Sequence, residues 1–174
     1  MLKRTKLPRR ALACLAALAM APAALAQQPT NEADVTTEQF QEWEVRCPQG
    51  AAAQGACTMT QLVNNPDGSR PLMRVVMAYP PEIDTAAMAF FLPLGTRLAP
   101  GLQLSVDGGE PVSFPFQVCM EQGCRADLPL RPELMQQLRS GTSATLSLIG
   151  PRGNRMDLDI SLMGFTNASE RIQR

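Results

Sequence analysis

From Phe40 onward the chain alternates apolar and polar residues in short runs broken by glycine and proline, the pattern of half-buried antiparallel strands. In FQEWEVRC, Trp43, Val45 and Cys47 share one side and Glu42, Glu44 and Arg46 the other. CTMTQLV at 57–63 aligns Cys57, Met59 and Val63, and NNPDGSRP at 64–71 has the chemistry of a tight reversal. An apolar strand interrupted by Arg74 follows in LMRVVMAY; YPPEIDT ends it, and MAFFLPL begins the next. The clearest hairpin lies at 102–118, where Leu102, Leu104 and Val106 face Val112, Phe114, Phe116 and Val118 across DGGE. Pro115 lacks an N–H for a ladder and belongs at an edge or bulge. A last hairpin turns at PRGN; in its second strand Met156, Leu158, Ile160 and Leu162 alternate with Asp157, Asp159 and Ser161.

One stretch departs from period two. Around 132–140, Pro132 suits a first helical position and Glu133 meets the positive end of the helix dipole. Leu134 and Leu138 share a face, Arg139 stands in the last turn, and Gly141 can cap the end. About eight short strands and one helix read as an all-β fold, an antiparallel β-sandwich immunoglobulin-like in outline, with one short helix near 132–140. A small barrel is the alternative.

The N-terminus changes the picture of where this fold works. Five basic residues, an apolar run and the small residues of ALA at 24–26 form an export signal, with cleavage expected after Ala26. The apolar run of about 11 residues falls short of the ~20 that span a bilayer. The expected organisation is therefore a cleaved signal peptide at 1–26, a flexible polar leader at 27–39 and a single β-sandwich domain at 40–170. Loss of the signal removes five positive charges, leaving eleven basic against sixteen acidic residues, a net charge of −5. Such a surface disfavours nucleic acid and direct membrane binding, and the product is expected to be no integral membrane protein.

Beyond the signal the chain has no histidine and no lysine. A Ser-His-Asp triad, a Cys-His nucleophile, a histidine-bound zinc, a Schiff-base lysine and a P-loop are all excluded. No cofactor is expected.

Four cysteines remain after Ala26, an even number suited to an oxidising compartment. Of the three possible pairings we favour Cys47–Cys57 and Cys119–Cys124, because each closes a short connection. Burial is expected for the first bridge and greater exposure for the second. A redox role for CMEQGC is disfavoured: four residues separate its cysteines, no helix follows at once, and Glu121 opposes a thiolate. Asp157 and Asp159, two apart on one strand face, are the candidate acid/base pair for a carboxylate-dependent hydrolase of an envelope polymer. Eight methionines (59, 73, 77, 88, 120, 135, 156 and 163) raise a copper carrier but fall mainly on apolar faces, where they fill core. Trp43 and Tyr79, each single, offer no aromatic ladder for sugars or bases.

FQEWEVRC, CTMTQ, PLGTRLAPGLQLSVDGG, CMEQGCRADLPL and SLMGF together resemble the invasion-associated locus B family of exported bacterial proteins, over about residues 40–168. Glu42 stands where the family commonly has aspartate. The resemblance implies a periplasmic or surface-exposed β-sandwich with paired cysteines, linked to host-cell invasion or envelope function, and it carries over no catalytic residue. The function expected is thus a non-catalytic binding module for an unknown protein or envelope partner. The loops at 64–71, 80–87 and 95–101 are its candidate binding surfaces, and a disulfide redox accessory using Cys119 and Cys124 is a further alternative.

Overall fold

The computed structural model describes residues 35–49, 56–65 and 67–173. Among the described residues, eleven strands form two antiparallel sheets. The larger contains β1 (Val35–Phe40), β2 (Trp43–Pro48), β3 (Thr58–Asn64), β4 (Pro71–Ala78), β5 (Ala87–Leu92), β8 (Val118–Met120) and β9 (Gly123–Pro129), in the order β1-β2-β3-β4-β5-β9-β8. The smaller contains β6 (Leu102–Val106), β7 (Val112–Phe114), β10 (Ser143–Ile149) and β11 (Arg155–Ser161), in the order β11-β10-β6-β7. Helices α1 (Pro132–Ser140) and α2 (Phe165–Ile172) follow β9 and β11. The all-β, two-sheet sandwich read from the sequence is the architecture found, and the immunoglobulin likeness is one of outline, since the sheets hold seven and four strands.

The period-two faces explain the core. Trp43, Val45, Met59, Met73, Val75, Met77, Met88 and Phe90 all point inward from the large sheet, opposite Leu102, Leu104, Leu146 and Ile160 from the small one. Met59, Met77 and Met88 lie directly opposite one another on β3, β4 and β5, a row of pliant thioether side chains that fills the interior. Helix α1 begins on Pro132 and buries Leu134 and Leu138, as its spacing predicts. Gly141 does stand at its end, but in extended backbone. Glycine is needed there for room, because a Cβ would press on Val106 and Asp107 of the neighbouring hairpin.

Three expectations need correction. The flexible leader expected over 27–39 gives way at Val35, where β1 pairs with β2 from Val35 opposite Pro48 to Phe40 opposite Trp43. Its polar residues hid it: Glu38 is held by Arg171 of α2, at 2.7 Å from Nη2 to Oε1. The rest of the leader, and the signal peptide at 1–26, lie outside the described residues. The helix at 132–140 is not the only one. α2 runs to Ile172, past the expected domain end at 170, and buries Phe165, Ala168, Ser169 and Ile172 on one stripe. Phe165 meets the edge of Trp43, ring centroids 5.3 Å apart. Finally, the run 112–118 is two strands. β7 stops at Phe114, Pro115 ends its pairing, and the chain crosses to the large sheet as β8.

Candidate functional site

The hydrolase pair is placed on the solvent face of β11 and engaged there. Asp157 accepts hydrogen bonds from the Ser147 hydroxyl at 2.5 Å and from Arg155 Nε at 2.9 Å. These donors, Ser147 first and Arg155 second, hold its carboxyl below the usual carboxylate range. A general acid needs the opposite shift. Asp159 accepts from Thr145 Oγ1 at 3.0 Å, its direct cross-strand neighbour. The two aspartates thus serve the β10–β11 ladder.

Cys47 is bonded to Cys57 across the β2–β3 connection, and Cys119 to Cys124 across the β8–β9 turn. Cys47 and Cys124 are buried, Cys57 half-buried and Cys119 exposed. Cys119 stands on a three-residue edge strand with no helix N-terminus following it, so the helix dipole that lowers a thiol's pKa in Cys-x-x-Cys redox sites has no counterpart there. Among the described residues no group of three histidine, cysteine or acidic side chains could hold a metal. The methionines at 59, 73, 77 and 88 are buried in the core, and Trp43 is buried with them.

What the structure does assemble lies on the outer face of the large sheet. In register across five strands stand Leu62 on β3, Arg74 on β4, Phe91 on β5, Arg125 on β9 and Val118 on β8. Period two makes this row unavoidable: with Phe90 fixed in the core, Phe91 must face out. The two guanidiniums flank its ring, Arg74 Cζ at 4.7 Å and Arg125 Cζ at 5.8 Å from the centroid. Arg125 also donates to Asp127 Oδ1 at 2.7 Å, whereas no described carboxylate pairs with Arg74.

The row opens into a shallow cleft of about 530 Å³. Leu62 (53% exposed), Val118 (45%) and Met120 (61%) rim it, three large apolar side chains left in water within one patch. The Cys119–Cys124 bond holds β8 against β9, and with it Val118 and Met120, over the cleft. Gly123 sits in the left-handed region at φ +142°, where a Cβ would overlap the Leu92 carbonyl oxygen.

Sequence reasoning looked to the loops at 64–71, 80–87 and 95–101 and missed this sheet face. Only Pro71 and part of the neighbouring β3–β4 hairpin reach it. The available signals were the adjacent Phe90-Phe91 pair and the two apolar residues around Cys119. No helix among the described residues is long and apolar enough to cross a membrane.

The family model described as Invasion associated locus B (IalB) protein matches residues 43–173. Among solved structures the chain is similar to invasion associated protein B from Bartonella henselae. The two share 20% identity with a TM-score of 0.69, over 79% of this chain and 95% of the other. At that identity the likeness speaks for the fold. No curated protein matches significantly.

Proposed function

The chain belongs to the invasion associated locus B family, and from that premise we propose that it acts as an exported, non-catalytic interaction module that docks a partner on the outer face of its large sheet. The observation that carries this reading is the row through Leu62, Arg74, Phe91, Arg125 and Val118, a set of apolar and cationic side chains brought together by strand register and left facing solvent. A half-buried aromatic ring flanked by exposed arginine and apolar side chains in one patch has the composition of an interaction hot spot. A contact surface of this kind needs no chemistry beyond shape and charge.

Cleavage after Ala26 and delivery to the periplasm or cell surface complete the reading, with Cys47–Cys57 and Cys119–Cys124 bonded in that oxidising setting. Membership of a family described as invasion associated supports a role in host-cell contact or in the envelope that mediates it.

A photo-crosslinking residue placed at Met120 tests the proposal in intact cells and in cells touching a host layer. A discrete cross-linked product is expected from position 120 and not from position 159 on the opposite sheet. Equal labelling from both positions, or none from either, overturns it.

A further inference from the structure

Resting on that reading of the outer face, we propose that the cleft beside Phe91 receives a protein segment carrying one large apolar side chain flanked by carboxylates, which pair with Arg74 and Arg125. Charge selects the occupant. Among the described residues, Arg74 and Arg125 are the only charged ones lining the cleft, although the chain carries sixteen acidic residues. Arg74 has no described carboxylate partner, and Arg125 commits its Nε to Asp127. A guanidinium has five N–H donors in a fixed fork, so both arginines keep donors for a carboxylate from outside.

Their position is prepared in advance. Stacking on Phe91 restrains both guanidiniums before a ligand arrives, which lowers the entropy lost on binding. Phe91 lies between them, and beside them Leu62, Leu72, Val118 and Met120 give an apolar rim for one leucine- or phenylalanine-sized side chain. Arg74 and Arg125 stand two strands apart, about 10 Å at the usual strand spacing. In an extended segment residues two apart share a face and each residue rises about 3.3 Å, so carboxylates four residues apart, with the apolar residue midway between them, all point into the cleft and bracket that separation.

The next row of the same face runs Glu44, Thr60, Val76, Ala89 and Asp127. Its two acidic ends are already paired, Glu44 with Arg46 and Asp127 with Arg125, so this row adds no free cation for a broad anionic surface and the attraction is confined to the cleft. A discrete acidic segment satisfies that pattern; an anionic bilayer does not.

The test uses the full chain, expressed with its own N-terminal segment and recovered after export. Its probes are arrayed synthetic peptides in which phenylalanine or leucine lies between two aspartates. Parallel sets carry lysine for aspartate or alanine for the apolar residue. Retention of the aspartate set alone is expected. It should weaken with added salt and fall about tenfold in Arg74→Gln, the size of one lost charge-assisted hydrogen bond. The melting temperature of that variant should stay at the wild-type value.

Equal retention of the lysine set, or retention of no peptide, overturns the proposal. So does binding only to phosphatidylglycerol vesicles, or self-association in sedimentation that Arg74→Gln abolishes. Cross-linking from position 120 without peptide selectivity sinks this chemistry alone. Absence of that cross-linking sinks the docking reading beneath it.

Discussion

The side-chain amide of Gln61 and the backbone of Ser161 exchange two hydrogen bonds across the interior: Gln61 Nε2 donates to the Ser161 carbonyl at 2.8 Å, and the Ser161 N–H donates to Gln61 Oε1 at 2.9 Å. Gln61 is buried on β3 of the large sheet, and Ser161 is the last residue of β11 in the small one. The amide therefore does for β11 what a neighbouring strand would do, and Trp43 Nε1 donates to the same carbonyl at 2.9 Å. Replacing Gln61 with leucine leaves the Ser161 N–H without a partner while the carbonyl keeps Trp43. A loss of about 1–3 kcal/mol is expected, read as a lower urea midpoint at unchanged slope.

Gly164 sets the approach of α2 to β1. It lies at φ +86°, and a Cβ there would overlap the Phe40 carbonyl oxygen. Gly68 has a similar φ of +71° but open space around it. Gly68→Ala should therefore show only the backbone penalty of about 1–2 kcal/mol. Gly164→Ala should exceed it and loosen the Trp43–Phe165 contact. Thermal melts rank the two variants, and tryptophan fluorescence, from the single Trp43, reports the local change.

The two cysteine bridges can be ranked by loop length. Cys47–Cys57 closes a separation of 10 residues and Cys119–Cys124 one of 5. Loop entropy gives about 2–3 kcal/mol for each, the shorter loop less. Double serine variants should follow that order in urea midpoint, and mass spectrometry of the exported product should find no alkylatable thiol without prior reduction. Removing Cys119 and Cys124 should also reduce cross-linking from position 120, because β8 pairs with β9 over only three residue pairs.

Much of this fold is legible because burial writes period two into the strands. Trp43, Val45 and Cys47 face the core, and Asp157 and Asp159 face water, as their alternation says. β1 escapes that rule, since its inward positions are Thr36, Glu38 and Phe40 and two of the three are polar. α2 escapes it for want of a start signal: its cap is left-handed Gly164, with no side-chain oxygen to announce a helix. The cleft was illegible for a different reason. Leu62, Arg74, Phe91, Arg125 and Val118 span 64 positions of sequence, from 62 to 125, and only the pairing register of five strands makes them neighbours.

Asp107 makes stability depend on acid pH. It occupies the β6–β7 turn at φ +47°, and its carboxylate accepts from the Ser143 N–H at 2.9 Å and from the Thr142 hydroxyl at 2.8 Å. These bonds, the Ser143 N–H first, lower its pKa in the folded state. A lowered folded pKa means that the stabilisation is complete above the unfolded value of about 3.9. It is lost as pH falls through the folded value, because the unfolded chain then binds the proton more readily. Asp107→Asn tolerates the left-handed turn and keeps one acceptor, so it should melt lower than wild type at pH 6. The gap should narrow as pH drops below 4. A gap independent of pH would assign the stability to the turn conformation instead of to the charge.

Substitutions on the two sheet faces separate the docking and hydrolytic readings. Asp157 and Asp159 sit on the β10–β11 ladder, bonded to Ser147 and Thr145. Asp157→Asn with Asp159→Asn should leave partner capture intact, at a stability change under about 1 kcal/mol for each exposed pair. Phe91→Ala removes the ring on which Arg74 and Arg125 rest while leaving Phe90 in the core. Its ring is half-buried, so part of the apolar contribution of about 1.5–3 kcal/mol is lost from stability. Capture should fall further than the melting temperature explains. Arg74→Gln supplies the control, since it keeps the ring and the fold and removes one charge. A double aspartate variant that loses envelope function while Phe91→Ala retains it would reverse the assignment and place the chemistry on β11.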